Sequence, residues 1–156
     1  MKNFQNKTKI IKASKQLRAL ARLGLIIWAV GLVMFLVIAV AALTNGGNAR
    51  AIYLSLGGIV EMIFALIISL NFFRFFDRLK NGELFDAKTV SQLQLAGRWW
   101  LGYWLADFLF GIVGNGCFET KMTFASGQLF ASLIVIFVAW LMKEAQELQE
   151  EQELTV

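Results

Sequence analysis

The sequence predicts an all-α protein, a four-helix transmembrane bundle with both termini in the cytoplasm. Composition is the first reason. The 156 residues are 58% hydrophobic and 17% charged, whereas soluble domains have about 45–50% apolar and about 25% charged residues. The second reason is four continuous apolar stretches, each long enough to cross a bilayer core about 30 Å thick. A chain of this length forms a single membrane domain.

The predicted spans cover residues 23–43, 52–73, 99–118 and 122–142. The first and fourth contain no charged residue, the second contains Glu61 and the third contains Asp107. Unbroken apolar runs favour helices over the alternating strands of a membrane barrel. The first span has 21 uncharged residues, whereas the apolar core of a signal peptide has about 7–15. We therefore expect a membrane helix here and not a cleaved signal peptide. Glycines near the end of the third span predict that its outer end frays.

Lysine and arginine counts predict the orientation. Seven basic residues precede the first span, five lie in the 74–98 loop and one follows the fourth span, against two in the other loops. The positive-inside rule therefore places both termini and the 74–98 loop in the cytoplasm. All five tryptophans lie in the cytoplasmic halves of their spans, as in an interfacial aromatic belt.

Two acidic residues near the middle of their spans predict a polar site inside the bundle. A charge at the bilayer centre costs about 2.5–3.5 kcal/mol, so Glu61 and Asp107 should face other helices. No span contains a lysine or arginine to pair with them, so at least one should be protonated. Tyr103 and Ser69 lie on the same helix faces. These four residues are the candidate site for a ligand or an ion; the alternative is neutral acids that only join helices.

Small residues mark the expected helix contacts, because they let helix backbones approach closely in lipid. The second span has Gly57 and Ala65 on the face of Glu61, and the first has Gly24 and Gly31. The fourth span is expected to pack through Gly127, Ala131, Val135 and Ala139.

The first 22 residues are basic and contain no acid. A helix here would be amphipathic and would lie on anionic headgroups, where each basic residue contributes about 1 kcal/mol. The alternative is that the segment only determines topology. The predicted lipid contacts are Lys7, Lys9, Lys12, Lys15, Arg18 and Arg22. No DNA-reading pattern accompanies this segment, so direct nucleic acid binding is not expected.

The 74–98 loop and the acidic tail, residues 143–156, are the other expected cytoplasmic pieces. Asn81-Gly82 is a helix-stop signal and Asp86 a fair N-cap, which predicts a helix–turn–helix elbow on the inner leaflet. The fourth helix should continue into the tail. Acids at a helix C-terminus oppose the macrodipole, which is an argument for a positive partner, such as the basic N-terminal segment or another protein. The alternative is a solvated helix end. The candidate partner-binding residues are Glu144, Glu147, Glu150, Glu151 and Glu153.

Two segments carry a family resemblance. The run from Asn71-Phe72-Phe73-Arg74 to Gly82-Glu83-Leu84-Phe85 is one, and the closing residues 147–156 are the other. Together they resemble a bacterial family of small four-span membrane proteins of unknown function, often encoded beside a helix-turn-helix transcriptional regulator. Family members often have a proline at the helix start that here reads Asp86-Ala87. The resemblance implies a bacterial inner-membrane location and a cytoplasmic regulator as partner, and it carries over no site residue.

An enzyme is not expected, because the chain has no histidine, one cysteine and no nucleophile–base pair. We expect no metal site and no cofactor. The first hypothesis is a membrane-bound interaction or sensing partner of a cytoplasmic protein such as a regulator. A small oligomeric proton or cation carrier that uses Glu61 and Asp107 is the second, and an immunity-type membrane protein is the third. Lipids and further copies of the chain are the other expected partners.

Overall fold

The computed structural model describes residues 2–83, 86–120 and 125–154, and the side chains of 10–83, 86–120, 125–148 and 150–152. Lys7, Lys9, Glu153 and the start of the predicted fourth span have side chains outside the described part. The described residues form four helices, α1 (Lys2–Thr44), α2 (Ala49–Lys80), α3 (Ala87–Phe118) and α4 (Ser126–Leu154). Each helix is long and apolar enough to cross a membrane, which confirms the all-α class with four spans.

The helices pack in chain order, α1 on α2, α2 on α3 and α3 on α4. Glycines mark these contacts. The Phe35 ring covers Gly58 closely, and a Cβ on Gly97 would lie 2.7 Å from Cγ1 of Ile136. Among the described residues, α1 and α4 do not pack against each other. The bundle is therefore open along one side, between α1 and α4.

A compact core lies at the end of the bundle where α1 and α3 begin and α2 and α4 end, which we call the basic end. Phe75 and Leu79 of α2, Leu93 of α3 and Ala139 of α4 form it. Val135 packs against this core, so two of the residues predicted for the contact face of α4 are confirmed. A Cβ on Gly127 would meet no atom within 4 Å, and Gly127 does not belong to that face.

Asn81-Gly82 ends α2 and Asp86 precedes α3, as the sequence predicted, but Asp86 does not cap α3 through its side chain. Asn81 is the C-cap of α2, and Gly82 has φ 86°, a left-handed conformation that glycine adopts without strain. Asp86 occupies the N-cap position of α3 but makes no side-chain cap hydrogen bond. Its carboxylate instead lies 3.1 Å from Arg78, which also binds Glu83 at 3.3 Å. Arg78 thus closes the turn between the two helices.

The basic segment and the elbow do not form separate surface helices. α1 is unbroken over 43 residues, about 65 Å, and residues 74–80 and 87–98 belong to α2 and α3. No proline interrupts them, so the backbone hydrogen bonds run on past the apolar spans. Nε of Arg18 lies 3.0 Å from Asp77 Oδ1, and its guanidinium stands 5.1 Å from the centre of the Phe73 ring. This contact aligns α1 with α2 at the basic end.

The last helix starts deep inside the bundle. Gln128, in the first turn of α4, lies beside Tyr103, which is in the middle of α3. The apolar parts of α3 and α4 are consequently offset along the bundle axis. α3 itself continues to Phe118, where Glu119 adopts a left-handed cap, so the prediction of a frayed outer end is wrong.

Candidate functional site

A cavity of about 370 Å³ lies in the open side of the bundle. All four helices contribute to it. We call it the cleft; its lining residues are Trp28, Glu61, Met62, Ala65, Ile68, Ser69, Phe72, Trp100, Tyr103 and Gln128. Since α1 and α4 make no packing contact among the described residues, most of the lining comes from α2 and α3, with Trp28 from α1 and Gln128 from α4.

Three of the four residues predicted for the intramembrane site line the cleft. Glu61 and Ser69 come from α2, and Tyr103 comes from α3. Asp107 is not among the lining residues, but it interacts electrostatically with both Glu61 and Tyr103. The packing of α2 on α3 therefore brings the two carboxyl groups into one electrostatic site, as their similar depth allowed.

Gly24 of α1 lies next to the cleft, beside Trp28 and Ser69. A Cβ on Gly24 would lie 3.7 Å from Ser69 Oγ and 3.7 Å from Trp28 Nε1, so both polar atoms converge on this point. Trp28 is therefore aligned with Ser69 along the cleft.

The α4 wall presents an unsatisfied acceptor. The Gln128 side chain lies within reach of the Tyr103 hydroxyl, while its Oε1 is buried and no described residue forms a hydrogen bond with it. A buried polar atom without a partner is unfavourable by about 1–3 kcal/mol. The cleft thus holds an acceptor that a ligand N–H or O–H group could satisfy.

Charge in the cleft is entirely acidic. Within the described part of the chain, neither Glu61 nor Asp107 has an ion-pair partner. No group of three acids or cysteines able to hold a metal occurs among the described residues. The volume is in the range of small-molecule sites, about 300–1,000 Å³. The arrangement can bind a small molecule that has both an apolar body and a positive or hydrogen-bonding group.

The other predicted site residues lie at the basic end. Lys12, Lys15 and Arg22 are exposed, whereas Arg18 is engaged by Asp77. Their contact with anionic lipid stays a prediction. The acids of α4 whose side chains are described are exposed; they are Glu144, Glu147, Glu150 and Glu151.

Sequence reasoning missed Trp28, Trp100 and Gln128. The two tryptophans were assigned to an interfacial belt, but they line the cleft. The sequence does contain an indication for Gln128, because it is a polar amide inside an otherwise apolar segment. Intramembrane polar side chains usually face other helices, and this rule would have placed Gln128 inward.

Comparison with known proteins gives a family and no function. The family described as "Protein of unknown function (DUF2975)" matches residues 44–156, which include α2, α3 and α4. No curated protein matches the chain, and no solved structure matches it. The match confirms the resemblance to a family of unknown function found in the loop and tail. With its four membrane-spanning helices, this chain belongs to the DUF2975 family.

Proposed function

We propose that the protein is a non-enzymatic membrane sensor that binds a small molecule in the cleft and signals to a cytoplasmic protein through its acidic tail. The observation that carries this proposal is α4. One unbroken helix, Ser126–Leu154, connects Gln128 in the cleft to the exposed acids beyond residue 143. A helix transmits a shift or rotation at one end to the other, because its backbone hydrogen bonds resist bending.

The packing of α4 suits such a movement. Among the described residues, α4 has no packing contact with α1. It is anchored through Ala139 in the core of the basic end. A ligand that binds Gln128 and Glu61 together would change the position of α4 relative to α2. The tail would report this change to a partner with a basic surface, such as a regulator. Within the described residues, the Lys143 ammonium lies 3.3 Å from Glu147 and Gln146 donates a hydrogen bond to Glu150, while the side chains of Glu144, Glu147, Glu150 and Glu151 are exposed.

The experiment is affinity purification from native membranes with three baits. They are the full chain, a chain that lacks residues 143–156, and a full chain with Glu144, Glu147 and Glu150 changed to Gln. We expect one cytoplasmic protein to be retained by the full chain, released by raised salt because surface charges are screened, and lost with both altered baits. Glu83→Gln, an acid at the same end outside the tail, should retain it.

Equal recovery of partners by the full chain and by both altered baits would contradict the signalling role. The carrier and immunity hypotheses stay predictions. Proton or cation flux in liposomes that requires Glu61 would favour the carrier.

A further inference from the structure

The chemistry of the cleft selects its ligand. Glu61 lines the cleft and Asp107 interacts with it electrostatically, with no ion-pair partner for either among the described residues. A carboxylate in an apolar surrounding is poorly solvated, and a positive group that replaces water there is strongly favoured. An anionic ligand would be repelled by whichever of the two acids is ionised.

Aromatic rings surround the same space. Trp28, Phe72, Trp100 and Tyr103 come from three different helices and all line the cleft. Faces of such rings attract cations, most strongly when the site is desolvated. The rings of Phe72 and Trp100 are nearly perpendicular, with their centres 6.0 Å apart. A bound group can therefore contact the face of one ring and the edge of the other. The lining supplies apolar contact area together with sites for a cation.

Two further details narrow the ligand class. Oε1 of Gln128 is buried and has no hydrogen-bond partner among the described residues, so a cation with N–H groups satisfies an acceptor that a quaternary ammonium would leave unpaired. The cleft opens between α1 and α4, the side where the bundle is not closed. A molecule dissolved in the bilayer can therefore enter sideways with its apolar body.

Building on the proposed sensing role, we propose that the cleft binds a lipophilic organic cation with N–H donors, a protonated amine with a compact apolar body. The ammonium lies between Glu61 and Gln128, and the apolar body packs against Trp28, Trp100 and Phe72. The molecule that the sensor detects is then a membrane-permeant amine.

The test uses three probes of one shape, which are aminoadamantane, adamantanol and adamantane carboxylate. Binding is measured by calorimetry on the full chain in nanodiscs of zwitterionic lipid, with empty nanodiscs subtracted. We expect the protonated amine to bind at least about tenfold more tightly than the alcohol, the effect of one charge-assisted hydrogen bond. The carboxylate should show no binding above that to empty nanodiscs.

Glu61→Gln should remove the preference for the amine over the alcohol, and Gln128→Leu should reduce it. Glu83→Gln makes the same chemical change outside the cleft and should leave the preference unchanged. Alcohol binding equal to amine binding in the wild type would overturn the proposal and show that the cleft selects its ligand by apolar volume and not by charge. An amine preference that survives Glu61→Gln would overturn it too.

The two proposals can fail separately. Amine binding with this pattern, but without loss of the partner on tail removal, would refute the signalling role and keep the cation site. If a partner depends on the tail but amine and alcohol bind equally well, the cation site is refuted and the signalling role is kept.

Discussion

Gln128 in the first turn of α4 lies beside Tyr103 at the middle of α3. This relationship sets the depth at which α4 begins, and with it the position of one wall of the cleft. A fourth helix aligned in depth with α3 would place Gln128 near the far end of the bundle, away from Glu61. The offset therefore creates the site, because it brings an amide from α4 to the level of the acids of α2 and α3.

Replacing Glu61 should not weaken the fold. Burying a charge in the bilayer is unfavourable by about 2.5–3.5 kcal/mol, and Glu61 has no ion-pair partner within the described chain. We expect Glu61→Gln to keep or raise the thermal unfolding temperature in detergent while it removes the preference for the amine over the alcohol. A clear fall in that temperature, with Glu83→Gln unchanged, would show that Glu61 holds the helices together instead.

The contact of α1 with α2 should tolerate no added volume at Gly58. A Cβ there would overlap the Phe35 ring, so we expect Gly58→Ala to lower the free energy of unfolding by about 1–3 kcal/mol, the usual effect of overpacking. Gly127 is the matched control because its Cβ would meet nothing within 4 Å. Gly127→Ala should be neutral or stabilise by up to about 1 kcal/mol. Equal effects in denaturant titrations would show that the two helices are not packed in this way.

The contact between Arg18 and Asp77 should be weak and sensitive to salt. Both side chains are about a third or more exposed, 35% and 40%, and exposed ion pairs contribute about 0–1 kcal/mol. A double-mutant cycle with Arg18→Ala and Asp77→Asn should give a coupling energy in that range, smaller at high salt. Arg22→Ala, an exposed arginine on the same helix, should have a smaller effect than Arg18→Ala. A coupling well above 1 kcal/mol would contradict the surface character of this pair.

The native cysteine allows a test of the predicted orientation. Cys117 is exposed in the last turn of α3, at the end opposite the basic end. The positive-inside rule predicts that a membrane-impermeant maleimide labels it from outside intact cells. A chain with Cys117→Ser and Glu147→Cys should be labelled only after the membrane is opened. The reverse labelling pattern would invert the predicted topology.

Much of the intramembrane site could be predicted from the sequence. Charged residues inside apolar spans are few and expensive to bury, so Glu61 and Asp107 were visible without a structure. Helical spacing then added Tyr103 and Ser69 on the same faces. What could not be predicted is that Asp107 stays outside the cleft lining while it still acts on Glu61, because spacing gives a face and not a distance between helices.

The amino-acid sequence by itself determined the class of this protein, its four helices and its acids within the membrane, because each depends on local composition and on the thickness of a bilayer. Tertiary structure alone decided that α1 and α4 do not pack together within the described part of the chain, that α4 begins level with the middle of α3, and that Trp28 and Gln128 line the same cleft. The physical reason is that lipid solvates every apolar helix face almost equally well. Hydropathy therefore cannot rank one helix pairing above another, and close packing at residues such as Gly58 and Gly97 selects the pairing that forms.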